Sequence, residues 1–204
     1  MTEISYHHGD LRQALITAAL ELLTEDQNWG FSLREVARRA GVSHNAPYNH
    51  FHSRQDLLAA VAAAGFDGLR VRMGAVMGAG IPAEVLQAIG TAYVLFGTES
   101  PAHYRLMFGT ALRTPDGCLP PAVEASAAAA KGLLREVIRQ GTEDGSFALT
   151  PDALDLAVLS AWSLVHGLTL LLIDGLATEE EGPGPDAEQV AAQVTQMLID
   201  GLRS

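Results

Sequence analysis

The densest set of chemically able side chains lies in residues 32–52, SLREVARRAGVSHNAPYNHFH. Between Gln27 and Gln55 the basic residues are Arg34, Arg38, Arg39 and Arg54, Glu35 is the only acid, and the net charge is +3. His44, His50 and His52 share the stretch. Such a patch can meet an anion even on an acidic protein. The spacing also meets the needs of a helix-turn-helix. Ala37 is small where two helices would cross, and Gly41 tolerates a positive φ at the turn. Val42 is apolar just after the turn, and Ser43 can cap a second helix. That second helix would lie in a DNA major groove and offer its first side chains to base edges. An ordinary helical hairpin could carry the same four residues. Here, however, the hairpin follows an amphipathic helix, precedes a capped one, and is polar and basic where a packed hairpin would be apolar.

The overall charge points the other way. The chain has 204 residues and a formal charge of −11, which argues against a nucleic-acid partner when taken whole. Its distribution reverses the argument. Residues 1–72 carry a net −1, and 73–204 carry −10. With 48% apolar and 18% charged residues the chain is globular in character, and long enough for a sizeable core. The single cysteine, Cys118, excludes an intrachain disulfide framework and a multi-cysteine zinc site. MTEISYHHGD lacks a basic segment followed by an apolar one, so a cytoplasmic location is expected.

The elements that must hold these residues are helical. Leu11, Leu15, Ala18 and Leu22 line one face of a first helix, with Asp10 a candidate N-cap; Asn28 and Gly30 end it. Ser32 caps a second helix with Glu35 as its capping-box partner, and the helix stops at Gly41. Ser43 starts a short third helix ending near His50–Phe51. Ser53, with Asp56, caps a fourth that runs through Leu57, Leu58, Val61, Phe66, Leu69 and Met73. Pro82, Pro101 and Pro151 suit first turns, and helices are predicted near 82–98, 101–109, 119–143, 151–175 and 185–202. Thr110–Leu119 and 179–185 (EEEGPGP) read as loops. The expected fold is all-α: a DNA-binding headpiece over 1–52 and a larger helical domain over 53–204.

Leu156–Ile173 is 18 residues without a formal charge, near the lower limit for a membrane span. No Lys or Arg flanks it closely, so no membrane contact is expected; a helix apolar all round can instead be buried in a core or between subunits.

The sequence closely resembles the TetR-type (tetracycline-repressor-like) transcriptional regulators. YHHGDLRQAL at 6–15, SLREVARRAGVS at 32–43 and APYNHFHSRQDLL at 46–58 carry the likeness over about the first 65 residues. AWSLVHGL, with Trp162, His166 and Gly167, resembles the Trp-His-Gly group of C-terminal domains. The resemblance implies that Ser43, His44, Asn45 and Asn49 face the groove. Asn45 is then the best candidate for a direct base contact, since Asn pairs bidentately with adenine. Tyr48, His50 and Arg54 match phosphate-gripping positions, with Ser32 and Arg34 toward the opposite backbone. Tyr48 could also pack against the first helix. Arg54 stands where many members have lysine. Pro47 removes a hydrogen bond to the Ser43 carbonyl, so the third helix is expected to start irregularly, or effectively at Asn45.

For the C-terminal half the resemblance implies an apolar effector cavity, with Phe66, Met73, Tyr93, Phe96, Tyr104, Met107, Phe108, Trp162 and His166 as candidate lining. Ordinary core packing is the simpler reading of any single one, and Trp162 with His166, four apart on one helix face, depart from it most. The acidity of this half favours a neutral or cationic effector. Surplus apolar residues on the last two helices suggest a dimer face: Leu164, Leu168, Leu171, Leu172, Val190, Val194, Met197 and Leu198. Two helices from each subunit would make a four-helix interface. The expected partners are a palindromic double-stranded operator, a small-molecule effector and a second copy, with no metal and no cofactor. The expected activity is repression relieved by the effector. Catalytic residues are not expected, because there is no HExxH, no paired ExxH and no glycine-rich phosphate loop. The competing readings are an all-helical enzyme and a ligand-binding module that has lost DNA binding.

Overall fold

The computed structural model describes residues 8–26, 30–78, 80–114, 116–177 and 186–203. Eight α-helices and two short 3-10 turns occur among them, with no strand. The helices are α1 His8–Asp26, α2 Leu33–Arg39, α3 Arg54–Ala75, α4 Pro82–Glu99, α5 Pro101–Phe108, α6 Pro121–Glu143, α7 Leu154–Ile173 and α8 Ala187–Arg203. The 3-10 turns are Ala46–Asn49 and Pro151–Ala153.

The starts follow local chemistry. Ser32 Oγ accepts from the Glu35 N–H at 3.2 Å, and the Glu35 carboxylate answers the Ser32 N–H. Ser53 and Asp56 exchange the same pair at 3.1 and 3.0 Å. Prolines open α4, α5 and α6, where a missing N–H leaves nothing unsatisfied. Two expected boundaries shift. Asp10 is not the cap of α1, because the helix already begins at His8. Pro151 opens a 3-10 turn, and α7 proper starts at Leu154. Asn28, Pro115 and the 179–185 loop lie outside the described residues.

The chain forms two compact units. The first comprises residues up to Gly65 with Ala102–Ala125; the second comprises Phe66–Pro101 with Ser126–Ser204. In the first, α1 packs on α2, and α2 on the 3-10 turn that follows it. Leu15, Ala19, Leu23, Val36, Ala37, Phe51 and Leu57 are buried there. In the second, α4 packs on both α7 and α8. The α4–α8 crossing is close at Gly90. A Cβ there would lie 2.5 Å from Thr195 Oγ1, so only glycine fits without a shift.

α7 is long and apolar enough to cross a membrane, and about a third of its apolar stretch is buried. One face, Ala157, Val158, Ala161, Val165 and Thr169, is buried. Leu156, Leu159 and Leu171 stay exposed.

Candidate nucleic-acid interface and effector residues

The turn between α2 and the next element has the required backbone. Gly41 adopts φ +68°, and a Cβ there would meet no atom within 4 Å, so glycine is needed for conformation rather than space. The Ala40 N–H reaches the Val36 carbonyl at 2.9 Å and the Val42 N–H reaches the Ala37 carbonyl at 3.0 Å, closing the end of α2.

The element that follows differs from the helix expected at Ser43. It is a single 3-10 turn, Ala46–Asn49, flanked by Asn45 rather than Ser43 at its N-cap position. The physical cause is Pro47, which has no N–H to give the Ser43 carbonyl. That carbonyl instead accepts from Ala46 at 3.0 Å, a tighter three-residue closure. Regular i, i+4 bonding returns only at Phe51, whose N–H reaches the Pro47 carbonyl at 2.9 Å. Pro47 and Phe51 point inward and are buried. Ser43, His44, Asn45, Tyr48 and Asn49 are all exposed, and His50 is half-buried. Tyr48 keeps 48% of its surface. Ser32 and Arg34 are exposed at the start of α2.

Two arginines are braced by aromatic rings. The Arg54 guanidinium lies 5.6 Å from the Phe31 ring centroid, and Arg12 lies 5.5 Å from that of Phe51. Arg39 is withdrawn from the patch: it pairs with Glu25 and Glu21 of α1. The Glu25 hydrogen bond and charge hold Arg39 further toward its protonated form, and Arg39 lowers the Glu25 carboxyl below its ordinary range. The exposed positive charge of the turn region therefore comes from Arg34 and Arg38, with Arg54 half-buried beside Phe31.

The nine candidate effector residues are distributed over both units. Tyr104, Met107 and Phe108 belong to the first, where the Tyr104 and Phe108 rings lie 4.6 Å apart. His103, which sequence reasoning missed, is buried beside them and donates from Nε2 to the Val61 carbonyl at 2.8 Å. Burial pushes its imidazole below the ordinary range, against the opposing pull of that carbonyl. Gly65 permits the approach: a Cβ there would meet Met107 Sδ at 2.5 Å and His103 Nε2 at 2.6 Å.

Phe66, Met73, Tyr93, Phe96, Trp162 and His166 belong to the second unit. Three of them form one polar group. Trp162 Nε1 donates to Tyr93 Oη at 3.2 Å, and Tyr93 Oη lies 3.2 Å from His166 Nδ1. An indole can only donate, so Tyr93 accepts from it, and the tyrosine hydrogen is available to Nδ1. Burial lowers the His166 pKa, which keeps the ring neutral at pH 7. Lys131 of α6 also joins the group, its Nζ 4.9 Å from the Trp162 ring centroid. The signal for Lys131 was its singularity: it is the only lysine in the chain. Among the described residues no group of three His, Cys, Asp or Glu side chains could hold a metal ion.

Of the proposed dimer residues, Leu171 and Met197 are exposed at 46% and 75%, and Leu164, Leu168, Leu172, Val190, Val194 and Leu198 are half-buried.

Comparison with known proteins agrees with this arrangement. No curated protein matches the sequence. A solved Rhodococcus sp. RHA1 protein of unknown function is 28% identical, with a TM-score of 0.83 over 99% of this chain and 100% of its own. A tetR-family bacterial regulatory protein from Rhodococcus RHA1 is 21% identical, with a TM-score of 0.68 over 94% and 96%. AibR, solved in complex with isovaleryl coenzyme A and operator DNA, is 18% identical, with a TM-score of 0.65 over 93% and 98%. Residues 15–61 match the family model described as bacterial regulatory proteins, tetR family. Residues 86–200, more than half the chain, match the tetracyclin repressor-like C-terminal domain. The chain belongs to the TetR family of transcriptional regulators.

Proposed function

We propose that the protein is a cytoplasmic, homodimeric repressor that binds a palindromic operator and releases it when a small molecule occupies the C-terminal half. The observation that carries this reading is the exposure of Ser43, His44, Asn45, Tyr48 and Asn49 along one short segment, residues 43–51, whose Pro47 and Phe51 are buried. Exposed polar groups on a rigid, inwardly anchored turn suit a groove. Asn45 reads a base; Tyr48, His50, Arg54, Ser32 and Arg34 hold the phosphates and fix register. The ring of Phe31 under Arg54 restricts that guanidinium before DNA arrives, so less freedom is lost on binding.

The dimer reading rests on α7 and α8. Leu156, Leu159, Leu171 and Met197 present apolar side chains to the exterior. A second copy related by a two-fold axis would bury them. Regulation is a population shift between spacings of two headpieces, with the effector binding the relaxed spacing better. α3 is the lever, because this one helix continues from Arg54 at the headpiece through Phe66 and Met73. AibR, with its bound acyl-coenzyme A and operator DNA, shows that this fold carries both ligands in one relative.

The test is gel-shift affinity on a selected operator. Tyr48→Phe and Arg54→Ala should weaken binding on every sequence, whereas Asn45→Ala should change sequence preference. Unchanged affinity and preference in all three variants would refute the assignment.

A further inference from the structure

The C-terminal half is so acidic that its cations should find carboxylates. On α6 two of them do. Arg135 pairs with Asp155, and Arg139 with Glu136 and Glu143. Lys131 does not: among the described residues its ammonium meets the Trp162 ring and no carboxylate. The reason is local. Its helix neighbours at three and four residues' distance are Ala127, Ala128, Leu134 and Arg135, none of them an acid. The chain therefore places its one ammonium against an indole, at the exposed end of the Trp162–Tyr93–His166 group.

We propose that Lys131 and Trp162 form the charge-reading end of the effector site, and that the effector is an anionic amphiphile: a carboxylate on an apolar body. This rests on reading the Tyr93–Trp162–His166 group as part of the effector site. The carboxylate meets the Lys131 ammonium, and the apolar body lies beside the indole. Burial disfavours the charged form of His166, so the sign preference resides in Lys131. The surrounding acidity does not override it. Exposed charges farther than about 8 Å are largely screened at physiological salt, and a contact pair is not. This reverses the preference for a neutral or cationic effector that bulk charge alone suggests.

The experiment titrates the full chain with octanoate, octan-1-ol and octylamine, following tryptophan fluorescence. Reductive 13C-methylation adds a second readout, since Lys131 supplies the only side-chain amine. Octanoate should bind about tenfold more tightly than octanol and shift the Lys131 methyl signal. Lys131→Met should abolish that advantage, bringing octanoate affinity down to that of octanol, and Lys131→Arg should retain it. Octanol or octylamine binding as well as octanoate, or an unchanged octanoate affinity in Lys131→Met, would overturn the anionic assignment alone. If none of the three probes perturbs either signal, the underlying reading of the effector site falls with it.

Discussion

Replacing Gly90 by alanine tests the packing that holds the second unit. The added Cβ would lie 2.5 Å from Thr195 Oγ1, 3.1 Å from Cγ2 and 3.4 Å from Cβ. Thr195 is 1% exposed and β-branched, so its side chain has little room to rotate away. α8 must move off α4, or Thr195 must leave its rotamer. Overpacking of this kind costs about 1–3 kcal/mol. For a chain of this length that lowers the melting temperature by about 2–12 °C. Thr195→Ala removes the two nearest atoms and leaves only the ordinary 3.4 Å contact. The double variant should therefore be more stable than the sum of the two single losses, by about 1 kcal/mol or more. Thermal and urea unfolding at one fixed protein concentration measure this, because a dimer's melting point depends on concentration. A Gly90→Ala protein as stable as the parent, or simple additivity in the double variant, would refute the reasoning.

Three further outcomes are expected. Burial lowers the pKa of His103 and His166, so the unfolded chain binds more protons than the folded one as pH falls through the ordinary histidine range near 6.5. Stability should thus drop between pH 7 and 5, and His103→Gln should flatten that slope in urea titrations; an identical slope would count against the buried-imidazole account. Met197→Glu with Leu171→Glu should convert dimer to monomer in sedimentation, and an unchanged mass would remove α7 and α8 as the interface. Ser32→Ala should lose about 1 kcal/mol of stability by removing the cap, whereas Ser32→Asp should keep the cap and still weaken DNA binding by repelling phosphate.

What could be read from sequence was local. Ser32 with Glu35 and Ser53 with Asp56 announce their helices because a cap needs only residues three apart. Leu57, Leu58, Val61, Phe66, Leu69 and Met73 are all buried along α3, as their spacing requires. The start at Asn45 rather than Ser43, which Pro47 already implied, has an equally local reason. One proline outweighed the serine, and the consequence was a 3-10 turn rather than a helix. What stayed hidden depends on residues far apart in the chain. Tyr93, Trp162 and His166 were each candidates, but nothing in their spacing joins α4 to α7. The withdrawal of Arg39 requires knowing that α1 turns Glu21 and Glu25 toward it. His103 reads as an unremarkable helix residue until Gly65 is seen to let it reach the Val61 carbonyl.

The central claim, sequence-specific DNA binding by a two-fold pair of headpieces, is tested most directly by selecting bound DNA from a random pool and titrating the winner with salt. A palindrome should emerge, with half-sites about one helical turn or somewhat more apart. Arg34 and Arg54 in each of two copies should give a slope of log affinity against log salt of about −4, falling by about half in Arg54→Ala. No enriched sequence, or an affinity indifferent to salt, would contradict the account.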